Sequence, residues 1–220
     1  MIGILLKKDL LLEVKSREIL ISMIAFGIAV TLLYAFSFRP SPELVLVFAP
    51  GLMWTLFLFI STLAIHRSHS LEKEFDAFSL MLSAPINRST LFISKCLCSL
   101  IFLIISQAIL MPVFALFLQI PSFGNISQLI GVFFLVDLGI SFSGSLISGA
   151  VMRARGNEFL LPLLLYPIVT PLMISAVKST AAIMSSAEMI EWKLWFQIIL
   201  TYDIVFGLLG LLSYDYVTEE

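Results

Sequence analysis

Few side chains in this chain could do chemistry, and their spacing narrows the choices further. The two histidines, His66 and His69, are three residues apart. On a helix they share a face, and two imidazoles so placed could ligate haem iron or a metal. Beside Arg67 they read instead as interfacial histidines, solvated or hydrogen-bonded. The two cysteines, Cys96 and Cys98, point to nearly opposite sides of a helix and cannot clamp one metal. They read as small apolar packing residues, as do the nine scattered methionines. There is no nucleophile–base–acid set. There is no G-x-x-x-x-G-K-[ST] loop to cradle phosphates and no C-x-x-C-H for covalent haem attachment. The tryptophans and histidines form no W-G-x-x-W-x-W-D haem-handling pattern. Neither a catalytic residue, nor a cofactor-binding residue, nor a metal ligand can be named. Any ATP-driven work must hydrolyse ATP on another chain.

Two carboxylates stand out by where they lie. Asp137 and Asp203 each sit near the middle of a long apolar run. Facing lipid, either would cost several kcal/mol, so each should face protein or water. Asp137, Ser141, Ser145 and Gly149 recur every four residues and make one small, polar stripe. Asp203, Gly207 and Gly210 make a similar one. Small residues let helices approach closely, and a carboxyl can bond across the contact. An interhelical hydrogen bond, a proton relay and a gate all remain open for these two residues.

The elements that position them follow from composition. Hydrophobic residues make up 60% of the 220 residues and charged residues only 13%. A soluble domain carries about a quarter charged residues. A bilayer is the natural solvent for such a chain, and about 20 apolar residues span it as a helix. Six apolar runs meet that length, at about 19–38, 46–66, 91–118, 128–151, 159–177 and 196–213. The chain is therefore expected to be all-α, a single transmembrane domain over 1–220. RPSPE (39–43) and IPSFGN (120–125) break the runs. Pro112 should kink the long third run. Pro162, Pro167 and Pro171 should bend or break the fifth.

Residues 1–18 are too charged to span. Leu6, Leu10 and Val14 fall on one stripe, with Lys8, Lys15 and Glu18 mostly opposite. This predicts an interfacial amphipathic helix that precedes the first span. No cleavable signal pattern is present. With the N-terminus inside, ten Lys and Arg fall in inner segments and three (Arg39, Lys178, Lys193) in outer ones. The positive-inside rule then places both termini in the cytoplasm. No basic stripe suits nucleic acid, which excludes that class of partner.

The largest hydrophilic insertion between spans is the inner loop 67–90. Glu72, Glu74 and Asp76 make its first half acidic, while Phe75, Phe78, Leu80 and Leu82 give it an apolar side. Such a segment can lie on headgroups or dock as a helix in the groove of a cytoplasmic partner.

The stretch EKEFDAFSLMLSAPINRSTLFISK (72–95) resembles the loop after the second span of exporter-type ABC permeases. Acidic residues there precede a short leucine-rich helix, then a Pro, then a Lys that opens the third span. Three more stretches narrow the likeness. KDLLLEVKSRE (8–18), APGLMW (49–54) and LLPLLLYPIVTPL (160–172) resemble the start, second span and fifth span of the haem exporter protein B (CcmB) family. The endings YDIVF (202–206) and DYVTEE (215–220) also fit. The likeness runs colinearly along essentially the whole chain. Ala77 departs from it, because the family usually has Gly there. Ala is compatible with a helix, so the loop should only be stiffer.

The resemblance implies an ABC-2 exporter-like permease subunit of cytochrome c maturation in the inner membrane. Its implied partners are a CcmA-like ATPase that holds the ATP, CcmC- and CcmD-like membrane subunits, a CcmE-like haem chaperone and a second copy of the chain. Haem would be cargo rather than cofactor. Loop 71–86 would be the coupling element, with Glu72, Glu74, Phe75, Asp76, Phe78, Leu80 and Leu82 on the ATPase. The alternatives are a permease of the same fold for a lipid or drug, a non-transporting scaffold, and a secondary transporter using Asp137 or Asp203.

Overall fold

A computed structural model describes residues 2–37, 42–74, 87–153 and 160–218. They form seven helices: α1 (Ile2–Ser16), α2 (Glu18–Ser37), α3 (Pro42–Glu74), α4 (Arg88–Leu118), α5 (Ile126–Arg153), α6 (Leu160–Met184) and α7 (Met189–Thr218). Among the described residues there is no strand. The six helices α2 to α7 are each long and apolar enough to cross a bilayer, so the chain is an all-α, multi-pass membrane protein.

α5 is the central post. It packs against α3, α4, α6 and α7. About 61% of its apolar stretch is buried, against 22% for α2 and for α7, which lie at the edge. Among its buried residues, Gly139, Ser141, Ser143, Gly144, Ser145 and Ser148 are small. In hydrocarbon, close packing and interhelical bonds drive association, and small residues permit both. At Gly139 a Cβ would stand 2.5 Å from Asp203 Oδ1 and 2.9 Å from Leu172. On α7, Gly207 lies against Phe142, and Gly210 leaves the hole filled by the Phe92 ring of α4. The small stripe of α7 therefore receives aromatic rings from its neighbours.

The main core is aromatic where α3 meets α5 and α6. Trp54, Phe57 and Phe133 have ring centroids 4.7 to 6.1 Å apart. Trp54 Nε1–H donates to Thr180 Oγ1 at 2.9 Å, so the indole is packed and satisfied together. Cys98 belongs to this core, whereas Cys96 packs in a separate cluster with Leu91, Phe92 and Tyr214. Both thiols are free and buried.

The turn between α4 and α5 closes tightly. Gln119 takes a left-handed conformation and Ile120 N–H returns to Ala115 O at 3.1 Å, closing α4. Gly124 has φ +66°, and a side chain there would collide with the backbone of Ile183, so only glycine fits. Asn125 Oδ1 then accepts from Ser127 N–H at 3.1 Å and caps α5.

α6 is one continuous helix over Leu160–Met184, so of the two outcomes expected for the Pro-rich fifth span, bent or broken, the break does not occur. Pro162 lies in the first turn, where its missing N–H leaves no helix bond unmade. Pro167 and Pro171 lie on the exposed face, away from the buried Leu161, Leu165, Val169, Leu172 and Ala176. The lost bonds and ring contacts therefore fall outside the packed seam.

Candidate functional site

The end of the bundle where α2 begins and α7 ends also holds both stems of the loop 67–90. Helix α1 lies against α2 and α4 there. Leu6 and Leu10 pack on the main core. Val14, expected to share their stripe, is 65% exposed, and Glu13 is buried in its place. The helical phase from Leu10 continues to Glu13 (i, i+3) as readily as to Val14, and a bonding requirement selects Glu13.

Arg17, with φ 55°, breaks α1 from α2. Its N–H still bonds Glu13 O at 2.6 Å. The Glu13 side chain reaches forward to the start of α2. Oε1 accepts from Leu20 N–H at 2.8 Å and Oε2 from Ile19 N–H at 3.3 Å. A helix start leaves N–H groups unpaired and carries partial positive charge, and a carboxylate answers both. The elbow between α1 and α2 is thus built by one buried acid.

Two ion pairs tie this elbow to the stems of the loop. On the α3 stem, Arg67 Nη2 meets Glu18 Oε2 at 2.5 Å. Both side chains are nearly half exposed, so the pair is weak by itself. On the α4 stem, Lys95 Nζ meets Asp9 Oδ2 at 3.0 Å with 7% and 10% exposure. Lys8 Nζ lies 3.0 Å from the other oxygen of Asp9. A buried charge stripped of its partner is costly, so Asp9 and Lys95 hold each other. One acid from α1 and one from α2 therefore grip the two helices that enter and leave the loop.

Of the residues expected to form the coupling element, Phe75, Asp76, Phe78, Leu80 and Leu82 lie outside the described residues. Glu72 and Glu74 belong to the last turns of α3, which continues well past the apolar run 46–66. His66 and His69 are on the same helix.

Deeper in the bundle the two aspartates differ. Asp137 on α5 is 1% exposed, and its Oδ1 accepts from Gln107 Nε2 of α4 at 2.7 Å. Asp203 on α7 is 6% exposed, and neither oxygen has a hydrogen-bond partner among the described residues. It sits against Gly139 of α5 and beside Tyr202, whose ring stacks on Phe206 at 4.3 Å. One carboxyl is an interhelical bond, and the other is a buried polar group held by packing alone.

Gln107, Glu13 and Asp9 escaped the reading of the sequence. Gln107 had a signal, because an amide inside a long apolar run needs a partner and Asp137 needed a donor at similar depth. Glu13 and Asp9 had none, since acids on an amphipathic segment ordinarily face water.

Comparison with known families matches residues 1–214 to the CcmB family, described as CcmB protein. No curated protein matches the chain. The match covers nearly every residue, from the elbow of α1 to the buried end of α7. The chain belongs to the CcmB family.

Proposed function

We propose that this chain turns ATP hydrolysis on a partner ATPase into movement of its own six spans, serving haem export or release of a haem-loaded chaperone. Membership of the CcmB family makes it an ABC-type permease subunit of the cytochrome c maturation system. The finer reading adds a CcmA-like ATPase on the cytoplasmic face of the inner membrane. CcmC- and CcmD-like subunits lie beside the chain in the bilayer, and a CcmE-like chaperone outside receives haem.

The observation that carries this reading is the double grip on the loop stems. A helix pushed by an ATPase must pass its displacement to the spans rather than flex alone. Glu18 holds Arg67 on one stem, and Asp9 holds Lys95 on the other. Asp9 is on α1 and Glu18 on α2, and the Glu13 elbow joins the two helices, so force applied to residues 75–86 reaches α2, α3 and α4 together. Phe75, Phe78, Leu80 and Leu82 supply the apolar anchor on the ATPase, with Glu72, Glu74 and Asp76 setting approach and register.

The test is Leu80→Ala combined with Leu82→Ala, purified from membranes in mild detergent. Loss of apolar anchors from an interface costs a few kcal/mol. The double variant should release the ATPase, or retain it with hydrolysis uncoupled from haem-chaperone release, while all six spans stay inserted. Glu72→Lys with Glu74→Lys should act more weakly. A double-alanine protein that keeps both the ATPase and full coupled activity sinks the assignment.

A further inference from the structure

At the end of the bundle away from the termini, α3 and α6 frame a cleft of about 310 Å³. Trp54, Thr55 and Leu58 form one wall, and Ile174, Val177 and Lys178 are on the other. The inner wall is rigid. Trp54 is 1% exposed, bonded to Thr180 and packed on Phe57 and Phe133. The mouth is open, with Thr55, Ile174 and Lys178 exposed. The volume is at the low end of ligand pockets, which begin near about 300 Å³.

Lys178 is the only charged residue of the lining. It precedes Met184, the last residue of α6, by six positions, which puts it about 9 Å below the helix end. A lone cation at that depth is unfavourable unless its long stem carries the ammonium to the headgroups or it meets an anion. No carboxylate among the described residues pairs with it. The Thr55 hydroxyl already donates to Gly51 O at 2.8 Å. Recognition at the mouth therefore rests on one ammonium. The helices run antiparallel here, so Trp54 and Lys178 mark the end nearer the bilayer surface and Leu58 the deeper end.

We propose that this cleft binds one anionic phospholipid. Its phosphate takes Lys178, and one acyl chain runs inward over Val177, Ile174 and Leu58 against the Trp54 wall. Charge favours this occupant over a second copy of the chain. A two-fold contact through the same face would bring two Lys178 side chains together with no acid in the lining to separate them.

The experiment uses the full chain with its co-purifying subunits, stripped of lipid in mild detergent. It is titrated with phosphatidylglycerol or phosphatidylcholine of matched chains, and bound lipid is counted by native mass spectrometry. One phosphatidylglycerol should bind about fivefold more tightly than phosphatidylcholine, the scale of one basic residue at an anionic headgroup. Lys178→Gln should abolish that preference and Lys178→Arg should keep it. Lys193→Gln, an exposed lysine near the same end on α7, should leave it intact. Ile174→Trp should plug the cleft and lose both lipids. Preference that survives Lys178→Gln, or that falls equally in Lys193→Gln, overturns the site. So does ready disulfide formation between two copies through a cysteine placed at position 174, because a second copy then fills the cleft.

Discussion

The two intramembrane aspartates make opposite predictions. Asp137 supplies the acceptor for Gln107 at 2.7 Å, so its removal strands a buried amide. Asp137→Leu should lower stability by about 1–3 kcal/mol, the cost of an orphaned buried polar group. Asp137→Asn keeps an acceptor for Gln107 and should cost less. Asp203 has no hydrogen-bond partner among the described residues to strand. Asp203→Leu should leave thermal stability in detergent unchanged or raised. If its coupled activity then falls while the complex still assembles, Asp203 acts in the cycle. A large drop in melting temperature for Asp203→Leu contradicts this account. The buried pair Asp9–Lys95 calls for a double-mutant cycle. Asp9→Leu removes the carboxylate from both Lys8 and Lys95 and should cost about 3–5 kcal/mol, whereas Lys95→Met leaves Asp9 with Lys8 and should cost less. The two together should be nearly neutral for stability, since apolar groups of similar size refill the contact. Equal, additive losses would mean that the pair is not coupled.

Among the elements, the elbow is the feature least legible beforehand. The six spans could be read from the lengths of apolar runs, because a bilayer allows only satisfied backbone and a helix satisfies its own. The turn at 120–125 was also readable from its Pro, Gly and Asn. The elbow was not, since Glu13 looks like any acid on a charged amphipathic segment. Its role depends on the left-handed Arg17, which turns α2 so that its first N–H groups meet the carboxylate. The prolines of α6 left a bend and a break both open for a related reason. A proline count says that bonds are lost but not which face loses them. The test of the elbow is Glu13→Ala against Glu13→Gln. The alanine variant loses a helix cap and should be less stable by about 0.5–2 kcal/mol. The glutamine variant keeps a side-chain acceptor and should fall between it and the parent, as melting in detergent would show. Limited proteolysis should cut near Arg17 faster in the alanine variant. Equal behaviour of the two would mean that the cap contributes nothing.

For the whole molecule, the distribution of basic residues predicts which way the bundle faces. Six spans put both termini at one end, together with the elbow and the stems of the loop 67–90. By sequence, ten of the thirteen Lys and Arg residues fall in the segments expected at that end, and Arg39, Lys178 and Lys193 fall in the others. The bias of basic residues in short loops sets orientation, and acids count for little, so the acidic tail does not oppose it. Some of these cations have a second duty. Arg67 and Lys95 are taken up by Glu18 and Asp9 in the folded protein. Insertion precedes that pairing, however, so they still act as inside signals when the spans are laid down. The native thiols Cys96 and Cys98 are free and buried, which leaves a low background for labelling. A cysteine placed at position 74, at the end of α3, should resist a membrane-impermeant maleimide in intact cells and react once the membrane is opened. A cysteine at position 186, in the turn between α6 and α7, should react from outside at once. Labelling of position 74 in intact cells would invert the bundle. It would put the elbow and the loop stems on the side without ATP, and no cytoplasmic ATPase could then act through them.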